Sequence, residues 1–232
     1  MLEMSISLPL SKIADTKQYT LPAAAQSGID RVVKDLENQS VITPPHSPYN
    51  SPVWPVKKLK GQWRLTIDYR RLNANTAPLT AAVPSIAELI TQIQGVSHTW
   101  MAILDVKDTF FMVPLQEHDK AQFPFTWKGI QYTFKRLPRG YKHSPTFANN
   151  SLAKTQSGIP VPSEVTLYQY IDDLLIEGEQ FDTVKQAIED VTLGLTTLGL
   201  EIAPSKCQGP TQEVKFLGSG RSKEPYLSLL TH

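Results

Sequence analysis

The chain of 232 residues holds a single cysteine, Cys207, which excludes an internal disulfide framework. A lone thiol fits a reducing compartment, and its plain reading is a small buried hydrophobe. No window approaches the roughly 20 apolar residues that a membrane-spanning helix needs. The opening stretch MLEMSISLPL also lacks the basic segment and apolar core of a secretion signal. The expectation is a chain that is neither exported nor embedded in a membrane, and that works inside the cell, in cytoplasm or nucleus. Net charge is scarce as well: 23 basic residues stand against 22 acidic ones, for a formal +1. His98, His118 and His143 have no metal-ligand spacing, so packing or surface roles are expected of them. With 41% hydrophobic and 19% charged residues the composition is that of an ordinary globular protein, and by itself it names no function.

The near-zero sum hides a segregation along the chain. Between Trp54 and Asn75 lie Lys57, Lys58, Lys60, Arg64, Arg70 and Arg71 against one acid, Asp68. Lys128, Lys135, Arg136, Arg139 and Lys142 follow between Trp127 and His143 with no acid, whereas Glu164 to Asp190 holds eight acids and only Lys185. An acidic centre flanked by basic arms suits a site that holds cations in the middle and phosphates around them. Solvated charged faces would give the same counts, so the pattern needs motifs beside it.

Residues 1–25 show no periodicity and are assigned no element. Ser27 with Asp30 forms a capping-box pattern, and Ile29, Val32, Val33 and Leu36 predict a helix of about three turns ending near Ser40. The proline-rich TPPHSPYNSPVWP at 43–55 predicts an extended connector. Two strands, Val56 to Leu59 and Trp63 to Ile67, are expected to turn at Lys60 and Gly61. Ser85 with Glu88 opens a helix carrying Ile86, Leu89, Ile90 and Ile93, closed by Gly95. WMAIL at 100–104 predicts a strand covered on both faces, with Asp105 the first charge after it. A hairpin is expected around Lys128 and Gly129, and a helix starting at Ser144 and Pro145 that turns Phe147, Ala148 and Leu152 inward. VTLYQYIDDLLI at 165–176 reads as two apolar strands with Asp172 and Asp173 in the turn between them. Phe181, Val184, Ile188, Val191, Leu195 and Leu198 form a core stripe on a helix stopped at Gly199. The order strand, helix, strand pair, helix, strand predicts an α+β fold: a split βαβ antiparallel sheet backed by helices. In that topology Asp105 and Asp172 converge at one edge of the sheet.

Carboxylates clustered on a rigid sheet can hold hard divalent ions that activate an attacking hydroxyl and steady a leaving pyrophosphate. An adjacent Asp pair alone is weak evidence, since most such pairs are surface turns. YIDD at 170–173, however, resembles the signature hairpin of retroviral reverse transcriptases, and LDVKDTFF at 104–111 resembles their first aspartate motif. WRLTIDYRRLN at 63–73, SPYNSPVWPVKK at 47–58, LPRGYKHSP at 137–145 and KFLG at 215–218 resemble further blocks in the family's order, over roughly residues 26–218. The resemblance, closest to retroviral and endogenous-retroviral polymerases, implies a polymerase palm with a mixed α/β fingers subdomain. The arm would be 1–25, fingers 26–99 and 121–143, palm 100–120 and 144–218, and a divergent tail 219–232. It implies an RNA-directed DNA polymerase that extends a primer on an RNA or DNA template with deoxynucleoside triphosphates, using magnesium or manganese, and that travels in the virion for an intact parent.

The resemblance further implies that Asp105, Asp172 and Asp173 are the catalytic, metal-binding carboxylates, with the Val106 carbonyl also on a metal. Phe110 matches the aromatic under the sugar that excludes a ribose 2′-hydroxyl, while Phe111 reads as core. Lys58 and Arg64 match the cations on the triphosphate, and Asp68 and Arg70 match a template contact, or equally a local ion pair. Two departures stand out. Arg139 replaces the family's glutamine, so either it contacts phosphate or it blocks the nucleotide pocket. After Gly218 the sequence leaves the family pattern, and thumb, connection and ribonuclease H regions are expected to be missing, at a cost in processivity. A catalytically dead nucleic-acid-binding module and a metal-dependent phosphohydrolase are the rival expectations.

Overall fold

The computed structural model describes residues 12–57, 61–79, 83, 85–93, 99–216 and 227–230. In chain order the elements are α1 (Ala23–Asn38), β1 (Ile42–Thr43), β2 (Val56–Lys57), β3 (Trp63–Arg64), α2 (Arg70–Asn75), α3 (Ile86–Gln92), β4 (Trp100–Asp105), α4 (Glu117–Lys120), β5 (Phe125–Trp127), β6 (Ile130–Phe134), α5 (Ser144–Gln156), β7 (Val165–Tyr170), β8 (Asp173–Gly178), α6 (Phe181–Thr197), β9 (Gln208–Thr211), β10 (Glu213–Phe216) and β11 (Leu227–Leu230). They divide into two units, one built from Ala81–Thr109 and Pro145–His232, the other from Leu2–Thr80 and Phe110–Ser144.

The first unit is organised by an antiparallel sheet of order β7-β8-β4-β9. The apolar run at 100–104 makes β4 an inner strand, as expected of a segment buried on both faces. Its register with β8 runs from Trp100↔Gly178 to Asp105↔Asp173. Because side chains alternate along a strand, Met101, Ile103 and Leu175 share one face, where they join Leu89 and Ile93 from the α3 region and Val214 in a buried cluster. Ala102, Leu104, Leu174 and Ile176 lie on the other face and are almost wholly buried. Helix α6 packs on β4 and β8 through Val184, Ala187, Val191 and Leu195. The Ser85 cap forms as the sequence predicts: its Oγ accepts from the Glu88 N–H at 3.1 Å, and Glu88 Oε2 accepts from the Ser85 N–H at 2.7 Å. The expected stop at Gly95 lies outside the described residues.

In the second unit, β1, β6 and β5 form a sheet in that order and β2 pairs with β3. Lys128 and Gly129, at φ +48° and +81°, make the tight turn between β5 and β6. The core is aromatic: Phe123 meets both Tyr69 and Tyr141 edge-on, and the Tyr69 hydroxyl donates to the Phe123 carbonyl at 3.1 Å. Helix α1 lies against β3 so closely that a Cβ on Gly28 would sit 1.9 Å from Trp63 Cδ1. Glycine is therefore required there. The β2–β3 register puts Val56 opposite Arg64 and Lys57 opposite Trp63, and the expected turn residue Lys60 lies outside the described residues.

Several expectations need correction, the first being the strand expected over Trp63 to Ile67, which ends at Arg64 and leaves Ile67 only an isolated bridge to Val53. Helix α1 begins at Ala23, four residues ahead of Ser27, and has no side-chain cap. Asp30 instead accepts from Trp127 Nε1 at 2.8 Å and Lys128 Nζ at 2.5 Å, so a tertiary contact outbids the local capping pattern. In the central hairpin the turn is Ile171 and Asp172, whereas Asp173 is already the first residue of β8, paired with Tyr170. The α6 stripe is core only at its centre: Phe181 is 42% and Leu198 51% exposed, Ile188 is half-buried, and Ala187 takes a core position. Phe181 packs edge-on against Trp100 instead.

Candidate active site

The sheet register brings three carboxylates to one end of the first unit. Asp105 closes β4, Asp173 opens β8 as its cross-strand partner, and Asp172 precedes it in the turn. Cross-strand partners project from the same face, so Asp105 and Asp173 continue the row begun by Met101 and Ile103. The main chain fastens the arrangement. The Val106 N–H donates to the Asp172 carbonyl at 2.8 Å, and the Ala203 N–H donates to the Asp105 carbonyl at 2.8 Å. Apolar neighbours on both strands desolvate the acids, leaving Asp105 only 3% exposed.

Electrostatics follow from this crowding. Burial first, then the charges of Asp172 and Asp105, push the Asp173 carboxyl up to about 7, while Lys206 works in the opposite direction. Lys206 Nζ donates to Asp105 Oδ2 at 2.7 Å. Sequence reasoning missed this lysine. A topological signal was available, because β9 runs antiparallel to β4, so the segment entering β9 lies beside the end of β4 that carries Asp105. The donor set is oxygen only and negatively charged, which suits a hard cation. Among the described residues no group of three or more His, Cys, Asp or Glu side chains is gathered closely enough to hold a metal ion as it stands. Lys206 occupies one of the carboxylates that such an ion would use.

Val106 is buried beside the triad and bridges to Ile202. The other candidates lie in the second unit, apart from Lys58, which falls outside the described residues. Arg64 is exposed on β3. Arg70 clasps Asp68 with two guanidinium bonds, of 2.8 and 2.6 Å, and Tyr19 Oη donates to the same carboxylate at 3.0 Å. These bonds hold Asp68 at about 2 and raise Arg70 above its ordinary range. The local ion pair foreseen for these two residues is thus formed. Arg139 lies over the Phe110 ring, its guanidinium carbon 5.5 Å from the centroid. Phe111, the expected core aromatic, is half-buried and stacks on Phe134. Among the described residues no helix is long and apolar enough to cross a membrane.

Known proteins resemble this chain over nearly all of its length. Residues 56–220 match the family model of the reverse transcriptase (RNA-dependent DNA polymerase). The chain is 32% identical over 209 residues to the Gag-Pol polyprotein of Walleye dermal sarcoma virus, covering 90% of this chain and 12% of the polyprotein. It is 33% identical over 219 residues to the Gag-Pol polyprotein of Baboon endogenous virus, covering 90% and 13%. The prototype foamy virus protease-reverse transcriptase superposes with a TM-score of 0.78 at 30% identity, over 96% of this chain and 29% of that one. A foamy viral protease-reverse transcriptase in complex with an RNA/DNA hybrid gives 0.78 at 25% identity, over 92% and 28%. The chain therefore spans less than a third of each of these four relatives, and its α+β architecture is that of a reverse transcriptase palm and fingers. With a family model matched over most of its length and relatives at about 30% identity across nearly all of it, the chain belongs to the reverse transcriptase (RNA-dependent DNA polymerase) family.

Proposed function

We propose that the chain is the fingers and palm portion of an RNA-directed DNA polymerase, transferring a deoxynucleotide to a primer 3′-hydroxyl on an RNA or DNA template. The observation that carries this reading is the pairing of Asp105 with Asp173 across β4 and β8, with Asp172 in the turn beside them. The foamy viral relative crystallised with an RNA/DNA hybrid supports the same class of partner. The palm in this reading is 100–120 with 144–218, and the fingers are 26–99 with 121–143.

Asp105, Asp172, Asp173 and the Val106 carbonyl are the groups that would hold divalent magnesium or manganese. When bound, such ions supply an activated hydroxyl and charge neutralisation on the pyrophosphate. The chain's own residues set the stage. Burial and mutual repulsion leave Asp173 partly protonated near neutral pH, so the triad is short of positive charge, and Lys206 supplies some of it. Lys58 and Arg64 are the cations proposed for the triphosphate, Phe110 the surface proposed for the sugar, and Asp68 with Arg70 the proposed template contact. Arg139 rests on the Phe110 ring and so covers the surface the sugar would use. Primer extension with magnesium, compared between the chain and Asp172→Asn, tests the reading. Extension is expected from the parent and lost by at least about a hundredfold in the variant, whereas extension that survives the substitution, or none from either protein, overturns it.

A further inference from the structure

The peptide just ahead of Asp172 is held by side chains that the reaction scheme leaves unused. Ile171 is β-branched and sits at φ +55°, a left-handed state that such a residue keeps only when its surroundings impose it. Its N–H donates to Asn149 Oδ1 at 3.0 Å, and its carbonyl accepts from Gln169 Nε2 at 3.3 Å. The same Gln169 amide nitrogen donates to the Asn149 carbonyl at 2.8 Å and to Asn149 Oδ1 at 3.3 Å. All three atoms facing Nε2 are acceptors, which fixes the orientation of the amide. Asn149 comes from α5 and is 9% exposed, and the bonds it makes with the half-buried Gln169 and Ile171 are partly shielded from competing water. The turn is thereby gripped on both polar groups of Ile171 from the helix side, while the Val106 N–H holds the Asp172 carbonyl from β4.

We infer that Asn149 and Gln169 are positioning residues that lock the Ile171 peptide in its left-handed state and so aim the Asp172 carboxylate. The inference rests on the polymerase reading for what Asp172 does, but not for the lock itself. Asn149 Oδ1 acts only as an acceptor in these bonds, so Asn149→Asp keeps the lock and Asn149→Leu, of similar size, removes it. Gln169→Glu turns the donor into an acceptor facing three acceptors and breaks the lock from the other side.

The test uses the 232-residue chain and two readouts. Amide hydrogen exchange followed by NMR reports the lock, and primer extension across a range of deoxynucleotide concentrations reports its use. Asn149→Leu and Gln169→Glu are expected to speed exchange at the Ile171 amide by about tenfold or more, with the β4 amides unchanged. Their kcat should fall by about tenfold or more, with KM for the deoxynucleotide within about twofold of the parent's. Asn149→Asp should restore both. Unchanged exchange at Ile171, an unchanged kcat in Asn149→Leu, or a uniform rise in exchange through β4 would overturn the inference. Should the parent itself fail to extend a primer, the polymerase reading falls, and exchange at Ile171 still decides the lock.

Discussion

Asp173 is the residue on which the site's charge balance turns, and its consequence for pH can be worked out in sign. Below its ordinary value of 3.8 the carboxyl is protonated in folded and unfolded chains alike. Between 3.8 and about 7 the folded chain keeps the proton and the unfolded chain has lost it, so stability falls as pH rises through that window and levels off above it. Urea unfolding from pH 4 to pH 8 in the absence of divalent ions should show this decline, and Asp173→Asn should flatten it. Magnesium should move the lower limb of the activity profile to more acid pH, because a cation favours the charged carboxylates. A second residue, Arg139, covers the aromatic ring proposed to lie under the sugar. Arg139→Gln is expected to lower KM for the deoxynucleotide by several-fold, about 1 kcal/mol by the usual conversion, with the stability of the second unit little changed. Steady-state extension kinetics decide it, and a raised KM would mean that the arginine grips the substrate instead.

At the scale of elements, the clearest test lies where α1 crosses β3. Gly28→Ala should cost about 1–3 kcal/mol by overpacking, since the added methyl meets the Trp63 ring, and a lowered urea midpoint would show it. The elements also mark how far the letters could be read. β4, β7, β8, α3 and α5 were legible because a buried apolar run, a capping box or a Ser-Pro start states its own periodicity. What the sequence hid was tertiary. Asp30 looks like a cap until Trp127 and Lys128, about a hundred residues away, claim it. Lys206 carries no motif, and only the antiparallel path of β9 brings it to Asp105. The turn slipped by one residue because Asp173 is polar, whereas its pairing with Tyr170 and Asp105 makes it strand. Asn149 and Gln169 look like surface amides in the sequence, and only the fold turns them toward Ile171.

For the molecule as a whole, charge and connectivity are the properties that matter. With a net charge of only +1, any affinity for nucleic acid has to come from the two basic stretches, each neutralising phosphates and releasing counterions. Binding of an RNA/DNA hybrid is expected to weaken with salt, with a log–log slope of about −3 or steeper. Fluorescence anisotropy at several salt concentrations measures it, and a flat response would make those stretches mere solvated faces.

The central place of β4 has a consequence for how the chain must be made. Its two partners, β8 and β9, are both synthesised after it, and Lys206 follows Asp105 by 101 residues. At ribosomal speeds of roughly 5–20 residues per second, Asp105 waits roughly 5 to 20 seconds for its counter-ion. During that interval the WMAIL segment leaves the ribosome as a bare apolar ribbon with both edges open. A pause or an early stop inside that interval releases a sticky product, and growth at lower temperature or with added chaperones should raise the yield of soluble protein.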